Sequence, residues 1–227
     1  LMTCSTAPLS PEQWRQFEEM YGVTLLQLYG MSEAGWICGN RHYKRQMGTV
    51  GPPAKHQEFL IIDPDGNGCA TGTEGEVSIG GPQTCIATIS PDGEWEDQRS
   101  IRMRTGDLAI IDEEGFVRVT GRTKDLIIRG GVNIAPLEID NVLMQHPKIR
   151  EAAAIGVPDK IYGEEIVCYI VVKTGETLPA KEVLEHCQLN LPEFKVPKFV
   201  YRIDSLPKSD RGKILRDNLK IIWNEKN

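Results

Sequence analysis

Several features that would declare a function are missing from these 227 residues. The strongest apolar run, Ile166 to Val172, falls far short of the roughly 20 residues a helix needs to cross a bilayer, and no signal peptide is visible. No transmembrane segment is therefore expected. Basic residues are in deficit: 26 Lys and Arg stand against 32 Asp and Glu, for a net charge of −6, and the cations are scattered. The electropositive footprint of a nucleic-acid binder is absent. Cys4, Cys38, Cys69, Cys85, Cys168 and Cys187 contain no C-x-x-C pair and no close His/Cys cluster, which argues against a zinc site or a disulfide framework. A reducing, cytoplasmic setting is the plain reading. The four histidines, His42, His56, His146 and His186, are isolated along the chain and form no recognisable triad with Ser or Asp, so a hydrolase finds no support. There is no internal repeat and no low-complexity tract.

What is present is enough apolar surface for a globular protein, with 40% hydrophobic and 26% charged residues. Ser10-Pro11-Glu12-Gln13 opens a helix, with Ser10 as cap, Pro11 at the first position and Gln13 completing a capping box. Trp14, Phe17, Met20 and Tyr21 share a side of that helix, which predicts a packing face. Gly22 ends it, and Val23 to Leu28 reads as a buried strand delivering Tyr29-Gly30-Met31-Ser32-Glu33 at its carboxyl end, where open α/β sheets bind ligands.

From about residue 48 to 119 short β-prone runs (58 to 62, 75 to 79, 108 to 111 and 116 to 119) alternate with turn clusters, predicting a small antiparallel barrel or sandwich. Beyond 121 to 124 the texture is mixed. A helix starts at Pro136 with Ile139, Val142 and Leu143 inward and stops at Pro147. Strands are predicted at 149 to 157, 166 to 172 and 199 to 203, and helices at 179 to 191 and 215 to 223. The fold expected is α/β and α+β in three modules: 1–46, the end of an α/β sheet subdomain; 47–121, a β-barrel subdomain; and 122–227, an α+β domain.

Three islands carry candidate chemistry: Y-G-M-S-E at 29 to 33; R-T-G-D-L at 104 to 108, continued by G-R-T-K-D-L-I-I-R-G-G-V-N-I-A-P-L-E-I-D at 121 to 140; and K-S-D-R-G-K-I-L-R at 208 to 216. The central island sets Asp107 and Arg122 at opposite ends of a hairpin-like segment and stacks Gly130 and Gly131 ahead of a helix. Together these islands resemble, in order and over essentially the whole chain, the adenylate-forming superfamily of acyl-CoA synthetases, peptide-synthetase adenylation domains and luciferases.

That resemblance implies a large N-terminal domain followed by a small C-terminal lid that rotates between adenylating and thioester-forming poses, with Lys124 as the hinge. It implies that Tyr29 packs on adenine, a flat apolar face for a flat base, beside Gly30. Ser32 offers a hydroxyl to phosphate or metal, and Glu33 is a hard oxygen ligand for Mg²⁺. Asp107 accepts from both ribose hydroxyls, and Arg122 makes a second ribose and phosphate contact. Ser5, Thr6 and Ala7 fall near adenine, although the usual motif has glycines ahead of the alanine-proline pair. Lys213, on a loop that Gly212 lets approach closely, is the catalytic lysine that bridges the carboxylate and the α-phosphate. Gly130, Gly131 and Asn133 meet the pantetheine arm of CoA, and Met31 and Ala34 line the acyl pocket.

The reaction implied is carboxylic acid plus ATP plus CoA to acyl-CoA, AMP and pyrophosphate through acyl-AMP, as in fatty acid metabolism, with ATP, Mg²⁺ and CoA as cofactors and co-substrates. The family's phosphate loop, a Ser/Thr/Gly-rich stretch ending in Pro-Lys-Gly, is not found between Leu1 and Asn227. With Leu1 ahead of Met2 and a turn following almost at once, the sequence reads as a C-terminal fragment, inactive alone and partnered by a missing N-terminal domain of the same polypeptide. Two alternatives stay open: an adenylation domain that passes its acyl group to a carrier protein, whose signature reads more like Y-G-P-T-E, and a non-catalytic nucleotide-binding module.

Overall fold

The computed structural model describes residues 1–99 and 101–226. They divide into two compact units, Leu1–Thr123 and Lys124–Asn227.

The first unit begins with strand β1 (Met2–Cys4), helix α1 (Pro11–Tyr21) and strands β2 (Leu25–Met31) and β3 (Gly35–Gly39). β1 runs parallel to β2, and β2 antiparallel to β3. The capping box on α1 forms as the sequence predicts: the Ser10 side chain accepts from Gln13 N–H, and the Gln13 side chain accepts from Ser10 N–H. Its expected packing face is narrower than the spacing suggests. Trp14 is fully buried, whereas Met20 is 73% and Tyr21 60% exposed. The helix is instead tied down by Glu18, which the sequence reading passed over: its carboxylate accepts from Arg45 Nη2 at 3.1 Å, the Trp14 indole at 3.0 Å and Leu25 N–H at 2.7 Å. The Arg45 hydrogen bonds lead the causes that hold this carboxyl down at about 2.

β4 (Glu58–Ile62), β5 (Gly75–Gly80), a hairpin of β6 (Ala87–Ile89) and β7 (Trp95–Asp97), then β8 (Met103–Ile111) and β9 (Val117–Arg122) complete the unit. β4, β5, β8 and β9 pair antiparallel in that order as a four-stranded sheet. No ladder among the described residues joins β4 to β9, so these strands form an open sheet where a barrel was expected. Val77, Ile79, Ala109 and Val117 bury one face against Ile37, Cys38 and Val50.

The second unit holds β10 (Ile127–Arg129), β11 (Val132–Ile134), α2 (Pro136–Met144), β12 (Ile149–Asp159), β13 (Gly163–Val172), α3 (Ala180–Asn190), β14 (Phe199–Arg202) and α4 (Arg216–Lys226). Its sheet centres on β13, paired along its length with β12, parallel to β14 and, at its start, with β10. The period of two in the central hairpin serves two cores at once. Ala152, Ala154, Ile166, Cys168 and Ile170 pack with Ile139, Leu143, Val183 and Cys187 of α2 and α3. Ala153, Ile155, Val167 and Tyr169 pack with Leu206 and Leu219 on the other face. This is why 149 to 157 and 166 to 172 read as continuous apolar runs. Across this layer Arg216 Nη2 meets Asp140 Oδ2 at 2.6 Å and Arg216 Nη1 donates to Ala154 O at 2.7 Å, fastening the start of α4 to α2 and β12.

Candidate nucleotide site

In the first unit the structure gathers Tyr29, Asp107 and Arg122 at one carboxylate. β8 and β9 form a hairpin in which Asp107 and Arg122 are directly opposed, so their side chains share a face. Arg122 Nε lies 2.9 Å from Asp107 Oδ1. From β2, the Tyr29 hydroxyl donates to Asp107 Oδ2 at 2.6 Å. Burial first, and then the negative charge of Asp107, push the Tyr29 phenol far above its ordinary value, so it remains a donor throughout the physiological range. Each carboxylate oxygen therefore has one lone pair engaged and one left, which is the capacity a pair of neighbouring hydroxyls requires.

Asp107 reaches this place through a break in the ladder. On β5, Glu76 pairs with Leu108 and Ser78 with Arg104, so Thr105, Gly106 and Asp107 bulge opposite the single residue Val77. Gly106 takes φ +73, which an L side chain adopts only with strain. The Thr105 hydroxyl donates to Val77 O at 3.2 Å and accepts from Asp107 N–H at 3.2 Å, and Glu76 Oε1 accepts from Gly106 N–H at 3.1 Å. Sequence reasoning identified the acid and the arginine but not Glu76 or Thr105. The glutamate is one of many, and only the bulge gives it a role.

The rest of the first island surrounds the β2–β3 turn. Gly30 lies where a Cβ would sit 2.2 Å from Gly35 O, so close packing of the two strands demands glycine there. Ser32 is exposed. Glu33 is half-buried; its carbonyl accepts from Cys85 N–H at 2.6 Å, and its carboxylate meets no hydrogen-bond or ion-pair partner among the described residues. Met31 packs beside, and Ala34 inside, the core formed with Ile37 and Cys38. Ser5 and Thr6 follow β1, their hydroxyls 3.5 Å apart, with Thr6 at φ 86; Ala7 is half-buried. No group of three or more His, Cys, Asp and Glu suited to a metal ion occurs among the described residues.

The remaining predicted residues belong to the second unit. Gly130 and Gly131 form the two-residue turn of the β10–β11 hairpin, with φ +58 and +81 as a type I′ turn requires, and Asn133 follows on β11, exposed. Lys213 is exposed on a tight loop in which Ser209 N–H donates to Lys213 O at 2.9 Å and Lys213 N–H to Ser209 Oγ at 3.2 Å. Lys124 is the first residue of the unit and is exposed. His146 and His186, isolated in sequence, meet here edge to face at 5.2 Å, with Glu182 Oε1 3.4 Å from His146 Nε2. No helix among the described residues is long and apolar enough to cross a membrane.

The chain has relatives among known proteins. Residues 1–86 match the AMP-binding enzyme family, and residues 138–213 match the AMP-binding enzyme C-terminal domain. The chain is 38% identical over 221 residues to a probable CoA ligase, CCL9, of Humulus lupulus, covering 95% of this chain and 42% of that protein. It is 38% identical over 222 residues to the oxalate–CoA ligase of Saccharomyces cerevisiae, covering 95% of this chain and 40% of that one. Among solved structures it resembles ATP-bound MatB from Rhodopseudomonas palustris, with a TM-score of 0.88 at 30% identity, over 100% of this chain and 46% of that one. The chain thus spans less than half the length of these relatives. On the two family matches together, the chain belongs to the AMP-binding enzyme family.

Proposed function

We propose that these residues form the ribose-binding half and the C-terminal domain of an ATP-dependent, AMP-forming acyl-CoA synthetase. The observation that carries the reading is the convergence of Tyr29 and Arg122 on the two oxygens of Asp107. A carboxylate beside a guanidinium, with one acceptor site free on each oxygen, suits the 2′ and 3′ hydroxyls of a nucleotide. Tyr29 would present its ring to adenine while its hydroxyl stays on Asp107, with Gly30 and Ser5 to Ala7 as neighbouring contacts. Arg122 would reach ribose and phosphate.

For magnesium the fit lies in Glu33. Its carboxylate has no protein partner among the described residues, and Mg²⁺ is typically held by one or two carboxylates together with substrate phosphates. Such an ion would offset triphosphate charge, with Ser32 adding a hydroxyl. Lys213 is assigned the positive charge that stabilises the developing charge of adenylation, Lys124 the pivot, and Gly130, Gly131 and Asn133 the passage for pantetheine. Met31 and Ala34 contribute to the acyl side. The CoA-ligase names of the relatives favour CoA over a carrier protein as acyl acceptor. Six free thiols suit a cytoplasmic setting.

Titration calorimetry of the chain with AMP tests the site: saturable binding is expected, and its absence would refute it. With ATP and a panel of carboxylic acids the 227 residues alone should release no pyrophosphate, because no stretch of them resembles a phosphate loop. Steady release would mean that triphosphate chemistry resides in residues not assigned to it.

A further inference from the structure

We propose that Glu76 is a positioning residue for nucleotide binding, acting through Gly106 to aim Asp107; the inference rests on the ribose-binding role given to Asp107 above. The bulge that lifts Asp107 out of the ladder is three residues long, and hydrogen bonds fix it from both flanks. Thr105 secures the near side through Val77 O and Asp107 N–H. The central residue is held at both its peptides: Glu76 Oε1 accepts from Gly106 N–H at 3.1 Å, and the Thr123 hydroxyl donates to Gly106 O at 3.2 Å. The second oxygen of Glu76 accepts from Arg104 Nε at 2.7 Å, so the carboxylate spans the bulge from Arg104 to Gly106.

Glu76 keeps only 13% of its side chain exposed, against 48% for Arg104. A backbone N–H in a bulge has lost its ladder partner, and a partly buried donor without an acceptor is unfavourable. Glu76 supplies that acceptor. Without it, Gly106, the freest residue of the segment, can turn its peptide toward water, and Asp107 next to it loses its fixed bearing on Tyr29 and Arg122. The glutamate does not contact the site. Its effect on a ligand must therefore pass through Asp107 and be confined to the ligand groups that Asp107 holds.

The test compares AMP with 2′,3′-dideoxy-AMP by titration of the whole chain and of E76A, E76Q, D107A and E76A/D107A. The wild type should prefer AMP. E76A should lose about tenfold in AMP affinity, the scale of a hydrogen bond to a charged group, while its affinity for the dideoxy nucleotide stays level. E76Q, which keeps an oxygen for Gly106 N–H, should restore most of the preference, and the double variant should bind AMP no worse than D107A. If E76A does not fold, E76T, whose side chain is too short to reach Gly106, takes its place. A purely structural glutamate would lower the melting temperature and both affinities together. Retained preference in E76A, or additive losses in the double variant, overturns the inference and leaves the Asp107 assignment standing. A wild type that does not distinguish the two nucleotides overturns both.

Discussion

Removing Asp140 should strongly destabilise the second unit. The side chains of Asp140 and Arg216 are 6% and 13% exposed, and their closest atoms are 2.6 Å apart. Asp140 Oδ1 also accepts from Ala154 N–H at 2.6 Å, while Arg216 Nη1 donates to Ala154 O. Asp140→Ala leaves a buried guanidinium with one carbonyl for company and an unsatisfied N–H on β12. Breaking a buried pair from one side costs about 3–5 kcal/mol. At about 4–8 °C per kcal/mol for a unit of this size, the melting transition should fall by roughly 12–40 °C. Replacing both partners, in D140L/R216M, should recover much of that loss, because two apolar side chains can occupy the space without an orphaned charge. Calorimetric melts of wild type, D140L, R216M and D140L/R216M make the cycle, with D140A measured alongside. A D140A transition within a few degrees of wild type, or a double variant no better than the sum of the singles, would refute the reasoning. Arg216 follows Lys213 by three residues, so its anchorage fixes one end of the loop that carries the lysine proposed for adenylation.

Tyr29→Phe should weaken AMP binding by roughly tenfold in a calorimetric titration while the fold, read by circular dichroism, is unchanged, since the hydroxyl but not the ring is lost. Glu18 makes a pH-dependent contribution to the first unit. Its folded carboxyl sits at about 2, below the ordinary 4.5, so the unfolded chain binds the extra proton between those values and stability falls as pH drops through that window. Urea midpoints measured from pH 6 to pH 3 should show that slope, and Glu18→Gln should flatten it. In the β10–β11 turn, Gly130→Ala should cost about 1–2 kcal/mol in thermal melts, the usual cost of a left-handed L residue, because the added methyl meets only Tyr162 Cδ1 at an ordinary 3.5 Å.

The sequence disclosed most of what depends on local rules. The capped helix at Ser10, the proline-started helix at Pro136 and the two apolar runs of β12 and β13 were legible because each carries its own punctuation or periodicity. Short pieces were not. β1, β3, the β6–β7 hairpin and the β10–β11 pair span three to five residues each, too few for a period to emerge, and they exist because a neighbouring strand supplies their hydrogen bonds. The expected barrel was an inference from regular turn spacing, which counts strands but does not say whether the first and last of them pair. Of the candidate site, Tyr29, Asp107 and Arg122 could be named from motifs, but their convergence depends on register between β8 and β9 and on a bulge that has no sequence signature beyond Gly106. Glu18, Glu76 and Asp140 were invisible for a common reason. Each is an ordinary acidic residue whose partners, Trp14 apart, lie 7 to 76 positions away in the chain.

The affinity of this chain for AMP before and after Asp107→Ala, measured by titration calorimetry in one buffer, tests the ribose-binding role of Asp107 most directly. Loss of the two acceptor bonds to ribose should weaken binding by about tenfold or more, in a variant whose circular dichroism shows the fold retained. Equal affinities for the two proteins would contradict it, since the carboxylate on which Tyr29 and Arg122 converge would then hold no part of the nucleotide.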